Sequence, residues 1–168
     1  GSLVLAYWEF PDSLDPIHAT TASDLRVTGL LFEPLWTLSP SLQPVPRLLR
    51  DVPTLANHEV KVTAGGAMTV DLKLRPGVLW SDGTPITADD VIFTVQAIRS
   101  DALPGRDSAD FDRIVAQQRV SDLEVIWHFD AVYAAYQLLG PESVLLPAHR
   151  LASLAPPLWP ARPFFQNP

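Results

Sequence analysis

The stretch LRPGVLWSDGTPITADDVIFTVQAI, Leu74 to Ile98, contains three carboxylates and a tryptophan ahead of an apolar segment. Arg75-Pro76-Gly77 is predicted to end a strand, because proline cannot donate to a strand ladder and glycine accepts a positive φ. Ser81-Asp82-Gly83 is typical of a turn in which Asp82 accepts a hydrogen bond from the backbone two residues later. The stretch is therefore predicted to pass from a strand end, through a turn, into a helix.

The helix is predicted to begin at Thr87. Thr87 has the place of an N-cap, and Asp90, three residues later, can reach back to it in a capping box. Asp89 adds negative charge near the positive end of the helix dipole. The apolar residues that follow have helical spacing: Val91, Val95 and Ile98. Trp80 is predicted to lie in the core or in a cleft wall, where its indole N–H needs a partner.

A catalytic reading of the same acids stays open as an alternative. Asp82, Asp89 and Asp90 could act as acid–base groups or metal ligands in a hydrolase or metal enzyme. The turn-and-cap reading is favoured, because aspartate and threonine side chains compete for backbone groups at helix starts and turns.

The composition of the 168 residues narrows the class of protein. A hydrophobic content of 47% and a charged content of 18% fit a globular domain, and no apolar run reaches the roughly 20 residues of a membrane span. A net charge of −7 argues against nucleic acid as a partner. Cysteine is absent, the histidines lack metal-ligand spacing, and no nucleotide-binding or hydrolase motif occurs. We therefore predict no cofactor, no metal and no enzymatic activity.

Both ends of the chain suggest a piece of a longer protein. Gly1-Ser2 is the pair that removal of a purification tag commonly leaves, and the apolar run LVLAYW, Leu3–Trp8, is predicted to be a buried strand. The tail LAPPLWPARPFFQNP, residues 154–168, carries aromatic residues without evident packing partners.

The remaining pattern favours an α+β fold with antiparallel hairpins and interspersed helices. One hairpin is predicted around Gly65-Gly66, where alternating polar and apolar residues flank the turn, and a second near Ser121-Asp122. A helix capped by Thr21 and Asp24 is predicted to carry one apolar face, with Val27, Leu30 and Leu31. Further predictions are a helical turn in PRLLRDVP (residues 46–53), a helix in AVYAAYQLLG (131–140) that Gly140-Pro141 stops, and a short strand followed by a helical turn in SVLLPAHRLASL (143–154).

Several segments, in this order, resemble extracellular solute-binding protein family 5, the oligopeptide-, dipeptide- and nickel-binding components of ABC importers. They are DSLDP (residues 12–16), LRVTGLLFEPLWTL (25–38), LKLRPGVLWSDGTPITADDVIFTV (72–95) and VLLPAHRL (144–151). The resemblance implies a type II periplasmic-binding-protein-like fold within a longer, multi-lobed protein. It divides the chain into residues 3–38, a strand and helix leading from a main lobe; residues 39–151, the small extra α+β lobe; and residues 152–168, a truncated return segment.

The resemblance also implies a ligand site. In peptide-binding relatives the stretch before SLDP makes main-chain contacts with extended peptide, and this stretch corresponds here to Phe10, Pro11 and Asp12. Independently, these residues follow a predicted buried strand, and strand ends are places where ligands reach the backbone. Phe10 stands where some relatives carry an acidic residue that pairs with a peptide amino terminus, so the ligand need not be a free peptide.

The implied function is a monomeric receptor that captures peptides or similar small solutes and delivers them to an ABC transporter permease. Such a receptor is extracytoplasmic, in the periplasm or anchored at the cell surface. The alternative is a solute-sensing domain of a bacterial transcriptional regulator, in which related domains follow a helix-turn-helix, and which is cytoplasmic.

Overall fold

The computed structural model describes residues 9–19, 21–100 and 108–154, together with Val4 and Trp159. The helices are α1 (Ala22–Leu31), α2 (Ala88–Ile98), α3 (Leu139–Glu142) and α4 (Ala148–Leu151), with 3₁₀ turns at Phe111–Arg113 and Ala134–Leu138. The strands are β1 (Trp36–Leu38), β2 (Pro44–Pro46), β3 (Val60–Val62), β4 (Met68–Lys73), β5 (Ile114–Ser121) and β6 (Glu124–Phe129). Apart from Val4, the predicted first strand lies outside the described residues.

Four strands form an antiparallel sheet in the order β3-β4-β6-β5. It is built from the two predicted hairpins, which join through β4 and β6 with Val70 opposite Trp127. Burial alternates along both central strands, and the residues of the buried face are Met68, Val70, Leu72, Val125, Trp127 and Phe129. The period-two pattern of the sequence is therefore the inner face of this sheet, and both hairpin predictions are confirmed.

Helix α2 packs against β5 and β6 through the apolar residues predicted from its spacing. Val91, Val95 and Ile98 are all buried, and Gln117 of β5 donates its side-chain N–H to the Ile92 carbonyl oxygen at 3.2 Å. Helix and sheet enclose one continuous hydrophobic core.

Strands β1 and β2 form a separate antiparallel pair. Trp36 of β1 is fully buried and joins this pair to the rest of the core. Its ring centroid lies 6.4 Å from that of Trp127, and its indole N–H donates to the Gln137 carbonyl oxygen at 2.8 Å. The predicted α+β class with antiparallel pairing is thus confirmed.

The prediction of a helical turn in residues 46–53 is wrong. The chain bends there at residues 47–48 and 50–51, and Leu49 forms an antiparallel bridge with Leu74. The Arg50 N–H donates to the Lys73 carbonyl oxygen at 2.9 Å, and the Arg75 N–H donates to the Leu48 carbonyl oxygen at 2.9 Å. Pairing with the end of β4 satisfies backbone groups that a lone helical turn would leave open.

The predicted helix stop at Gly140-Pro141 is also wrong. A 3₁₀ turn, Ala134–Leu138, leads directly into α3, which continues through both residues. Pro141 lies in the first turn of α3, where backbone N–H groups have no partner within the helix, so its missing N–H costs nothing. Gly140 is needed there because a Cβ at this position would overlap the indole ring of Trp36.

Helix α1 has the predicted start but exposes the predicted apolar face. Leu30 and Leu31 are exposed, whereas the buried residues are Ser23, Asp24 and Thr28. Thr28 Oγ donates to the Asp24 carbonyl oxygen at 2.8 Å, which satisfies its hydroxyl within the helix. Among the described residues, α1 thus packs through its polar side.

Candidate functional site

The predicted contact residues lie on a loop that runs from Glu9 to Asp15, ahead of α1. Phe10 is 95% exposed, Pro11 is half-buried and Asp12 is exposed. The Phe10 ring is therefore available for contact with another molecule.

The buried carboxylate of Asp24 fixes one side of this loop. Only 1% of Asp24 is exposed. Its Oδ1 accepts the Asp12 N–H at 2.7 Å and the Ser13 N–H at 3.2 Å, and its Oδ2 accepts the Thr21 N–H at 3.0 Å. Thr21 Oγ in turn accepts the Asp24 N–H at 3.1 Å, which confirms the predicted capping box. The sequence pattern revealed the cap, but it gave no signal that the same carboxylate also holds the loop.

Asp15 fixes the other side of the loop. Its side chain is fully buried; Oδ1 accepts the Ile17 N–H at 2.9 Å and Oδ2 lies 2.6 Å from Nδ1 of His18. The Asp15 N–H donates to Ser13 Oγ at 3.0 Å. Buried carboxylates therefore hold residues 12–13 and the segment at residues 15–18, while Phe10 precedes both anchored parts and is exposed.

The three carboxylates of the Leu74–Ile98 stretch do not converge on one point. Asp90 is 3% exposed, and its carboxylate accepts the Thr87 N–H at 2.9 Å, the Ala148 N–H at 2.8 Å and the Trp80 indole N–H at 3.2 Å. Asp89 pairs instead with Arg119 at 3.0 Å. The cap at Thr87 and a partner for the Trp80 indole are thus present as predicted.

Asp82 serves the turn and ties it to α4. Its Oδ1 accepts the Thr84 N–H at 2.9 Å, as predicted, and its Oδ2 lies 2.9 Å from His149 Nε2 and 2.8 Å from Arg150 Nε. These hydrogen bonds, that of His149 foremost, hold the pKa of the Asp82 carboxyl well below its usual range. Among the described residues, no group of three acidic or histidine side chains could hold a metal ion.

Clefts of the described surface include one beside Trp80 and one beside Tyr133. One of about 200 Å³ has Trp80 in its wall, with Leu31, Leu48 and Ile86, which agrees with the cleft-wall prediction for Trp80. The other, of about 450 Å³, lies at the end of the large sheet between Val62 and Tyr133. Burial, with the nearby Asp110, raises the pKa of Tyr133 to about 12, so this phenol stays neutral at physiological pH.

Comparison with known proteins decides the family. The model of the bacterial extracellular solute-binding proteins, family 5 Middle, matches residues 44–167. The chain belongs to this family. Family 5 and its fold are those of solute-binding proteins rather than enzymes. Within the described part of this family 5 chain, no helix is long and apolar enough to cross a membrane.

Individual relatives agree with the family. The oligopeptide-binding protein AppA of Bacillus subtilis is 24% identical over 127 residues, which are 76% of this chain and 22% of AppA. The peptidoglycan-binding protein YepA of Agrobacterium fabrum is 30% identical over 84 residues, 49% of this chain and 14% of YepA. The chain therefore spans less than a quarter of either relative.

A solved structure shows the fold. Bacillus subtilis AppA in complex with a nonapeptide matches 94% of this chain with a TM-score of 0.75 at 21% identity, and the match covers 30% of the AppA chain. The type II periplasmic-binding-protein fold expected from the sequence is confirmed. The division into residues 3–38, 39–151 and 152–168 stays a prediction.

Proposed function

We propose that this chain is part of a receptor that captures peptides and hands them to the permease of an ABC importer. The observation that carries the proposal is the family 5 match together with the likeness to the peptide-bound AppA structure. Each relative named above is a binding protein, which favours the receptor over the regulator considered from the sequence. The receptor would work outside the cytoplasm, as a monomer and without a cofactor.

Phe10, Pro11 and Asp12 are proposed to contact the ligand. The Asp12 N–H is held by the buried Asp24 carboxylate, and the Phe10 ring is exposed to solvent. A rigid backbone with an exposed aromatic side chain loses little conformational entropy on binding, which favours affinity.

The proposal is tested by calorimetric titration of the full-length protein. The ligands are a random pentapeptide library, a muropeptide, which the likeness to YepA motivates, and a linear oligosaccharide. We expect saturable binding of peptides or of the muropeptide, and no binding of the oligosaccharide. Binding of the oligosaccharide alone, or of none of these ligands, would overturn the proposal.

Phe10→Ala tests the contact residues in the same assay. We expect peptide affinity to fall about tenfold with an unchanged melting temperature, because an exposed ring contributes to the complex and not to the core. Leu42→Ala, which truncates an exposed apolar side chain in the β1–β2 turn, is the control and should leave affinity unchanged. Equal effects of both substitutions would remove Phe10 from the site.

A further inference from the structure

In the loop from Glu9 to Asp15, few main-chain N–H groups are left to bind a ligand. The N–H groups of Asp12 and Ser13 both donate to the Asp24 carboxylate, at 2.7 and 3.2 Å, and Pro11 has no N–H to offer. Phe10 thus carries the one main-chain N–H of residues 10–13 without a partner among the described residues.

The main-chain carbonyl oxygens of the same loop, in contrast to its N–H groups, are largely left without a partner among the described residues. Within the part of the chain that the structure describes, no donor is hydrogen-bonded to the carbonyl oxygens of Phe10 or Pro11. An unpaired carbonyl that a ligand buries costs free energy unless the ligand supplies a donor. A ligand that covers the carbonyl groups of Phe10 and Pro11 without loss must therefore present N–H or O–H groups to them, whereas the Phe10 N–H is the single main-chain donor of residues 10–13 that remains among the described residues.

The charged side chains beside the loop also favour a ligand that donates hydrogen bonds. The carboxylates of Glu9 and Asp12 belong to exposed residues on either side of Phe10 and Pro11. Glu9 is also held in place, since Ser23 Oγ donates to its Oε2 at 3.4 Å. Carboxylates accept hydrogen bonds and repel other anions. They add to a surface that favours donors and disfavours an anionic ligand group.

We propose that Asp24 is a positioning residue for ligand binding. Because its carboxylate accepts the N–H groups of Asp12 and Ser13, the main-chain groups that Phe10–Asp12 present to an extended peptide are mainly carbonyl acceptors, which can bind the peptide's N–H groups. This inference rests on the proposed function, because it takes the loop as the ligand contact. Asp24 itself is buried behind the loop and does not touch the ligand.

The capping role of Asp24 can be separated from its positioning role. Asp90 is a matched control, because it also lies three residues after an N-cap threonine, is also buried, and also binds a distant backbone N–H, that of Ala148. Thr21→Ala is a second control, since it removes the capping hydroxyl of α1 but leaves the bonds from Asp24 to Asp12 and Ser13.

Hydrogen–deuterium exchange of the full-length protein, measured without ligand, tests the positioning. An asparagine at position 24 has one acceptor oxygen and no charge, so its hydrogen bonds to the loop are weaker than those of the carboxylate, and Asp24→Asn should speed exchange at the Asp12 and Ser13 amides about 10- to 100-fold. Asp90→Asn and Thr21→Ala should lower the melting temperature and leave these two amides protected. Fast exchange of both amides in the unsubstituted protein, which requires no variant to fold, would overturn the positioning role.

Peptide capture tests the accepting edge. The unsubstituted protein is incubated with a random pentapeptide library and with counterpart libraries N-methylated at one backbone amide at a time, and captured peptides are counted by mass spectrometry. We expect methylation at one position or at two alternate positions to reduce capture about tenfold, because an N-methyl group removes the donor. Asp24→Asn should weaken capture of the unmethylated library about tenfold or more, since the loop must then be ordered on binding.

The outcomes distinguish a failure of the proposed function from a failure of the accepting edge. If no library is captured, the accepting edge fails, and if the muropeptide does not bind either, the proposed function fails with it, while the exchange of Asp12 and Ser13 still decides whether Asp24 positions the loop. If peptides are captured equally well with every amide methylated, the function stands and the accepting edge is wrong. If Asp90→Asn weakens capture as much as Asp24→Asn does, the effect is one of general stability and Asp24 has no positioning role.

Discussion

Asp24 and Asp90 occupy the same position in two helices, three residues after the threonine N-cap. In each case the carboxylate does more than close a capping box, because it also binds backbone N–H groups of a remote segment: Asp12 for Asp24, and Ala148 for Asp90. Such a carboxylate is buried, and hydrogen bonds to its charge offset the cost of burial.

Substitution of Asp90 should reduce stability far more than substitution of its neighbour Asp89. Asp90→Asn is expected to lower the free energy of unfolding by about 1.5–3 kcal/mol, because hydrogen bonds to a buried charge are lost. Asp89→Asn should change it by less than about 0.5 kcal/mol, since Asp89 pairs with Arg119 at an exposed site. Urea unfolding measures both. Equal values would show that Asp90 is no more than a helix-dipole charge.

Two glycines allow a second matched comparison. Gly140→Ala is expected to cost about 1–3 kcal/mol, because its Cβ would displace the buried ring of Trp36. Gly29→Ala, in exposed α1 with open space around the new Cβ, should stabilise the protein by about 0.5–1 kcal/mol through helix propensity. Thermal unfolding of both variants checks the signs, and destabilisation by Gly29→Ala would contradict the surface position of α1.

At the scale of elements, short helices are held by contacts outside themselves. Helix α4 has only four residues, fewer than an isolated helix needs for stability in water. Asp82, in the turn at residues 81–84 ahead of α2, binds His149 and Arg150 of α4 through its carboxylate. Asp90 of α2 accepts the Ala148 N–H at the start of α4. Turn 81–84, α2 and α4 therefore form one hydrogen-bonded unit.

Because this unit contains Asp82, the free energy of unfolding should decrease at acidic pH. Hydrogen bonds from His149, from the Thr84 N–H and from Arg150 lower the pKa of Asp82 in the folded state below the unfolded value of about 3.9. The stabilisation is therefore present above about pH 4 and is lost as the pH falls through the folded-state pKa. Asp82→Asn should show its full destabilisation near neutral pH and a shrinking one in acid.

Urea unfolding at a series of pH values measures this difference. His149→Ala removes the largest cause of the shift, so the variant should lose a smaller part of the same acid-dependent stability. A difference between Asp82→Asn and the unsubstituted protein that stays constant down to about pH 2 would rule out a lowered pKa for Asp82.

Sequence patterns predicted the elements whose determinants are local. The β3–β4 hairpin follows from alternation around Gly65-Gly66, and the start of α2 from Thr87 with Asp90. The path through Gly140-Pro141 could not be predicted, because it depends on Trp36, which bonds to Gln137 at a separation of 101 residues. The same limit applies to the site, where the second role of Asp24 appears only when the loop lies against α1.

At the scale of the whole molecule, the exposed apolar residues are unevenly distributed. Leu25, Leu30 and Leu31 of α1 are 44–60% exposed, although the spacing of Leu30 and Leu31 predicted one apolar face. The inner face of the large sheet, by contrast, is fully covered. Periodicity thus identified an apolar face on both elements, but the described residues cover only that of the sheet.

The two sheets should unfold as one unit because Trp36 and Trp127 join them. Their rings are tilted, with centroids 6.4 Å apart, in a geometry that favours aromatic pairs. A double-mutant cycle with Trp36→Phe and Trp127→Phe is expected to give a coupling energy of about 0.5–1.5 kcal/mol. The separate indole bonds, to Gln137 and Gln117, cancel in the cycle because each single variant already lacks one of them.

The control cycle pairs Trp127→Phe with Leu30→Ala, whose side chain is 60% exposed on α1 and should be additive. Denaturant unfolding followed by far-ultraviolet circular dichroism and by tryptophan fluorescence supplies both the energies and a test of cooperativity. Coincident transitions are expected, since one core cannot lose a sheet while keeping the other. Additive energies for Trp36 and Trp127, with two separate transitions, would mean that β1–β2 is an independent unit.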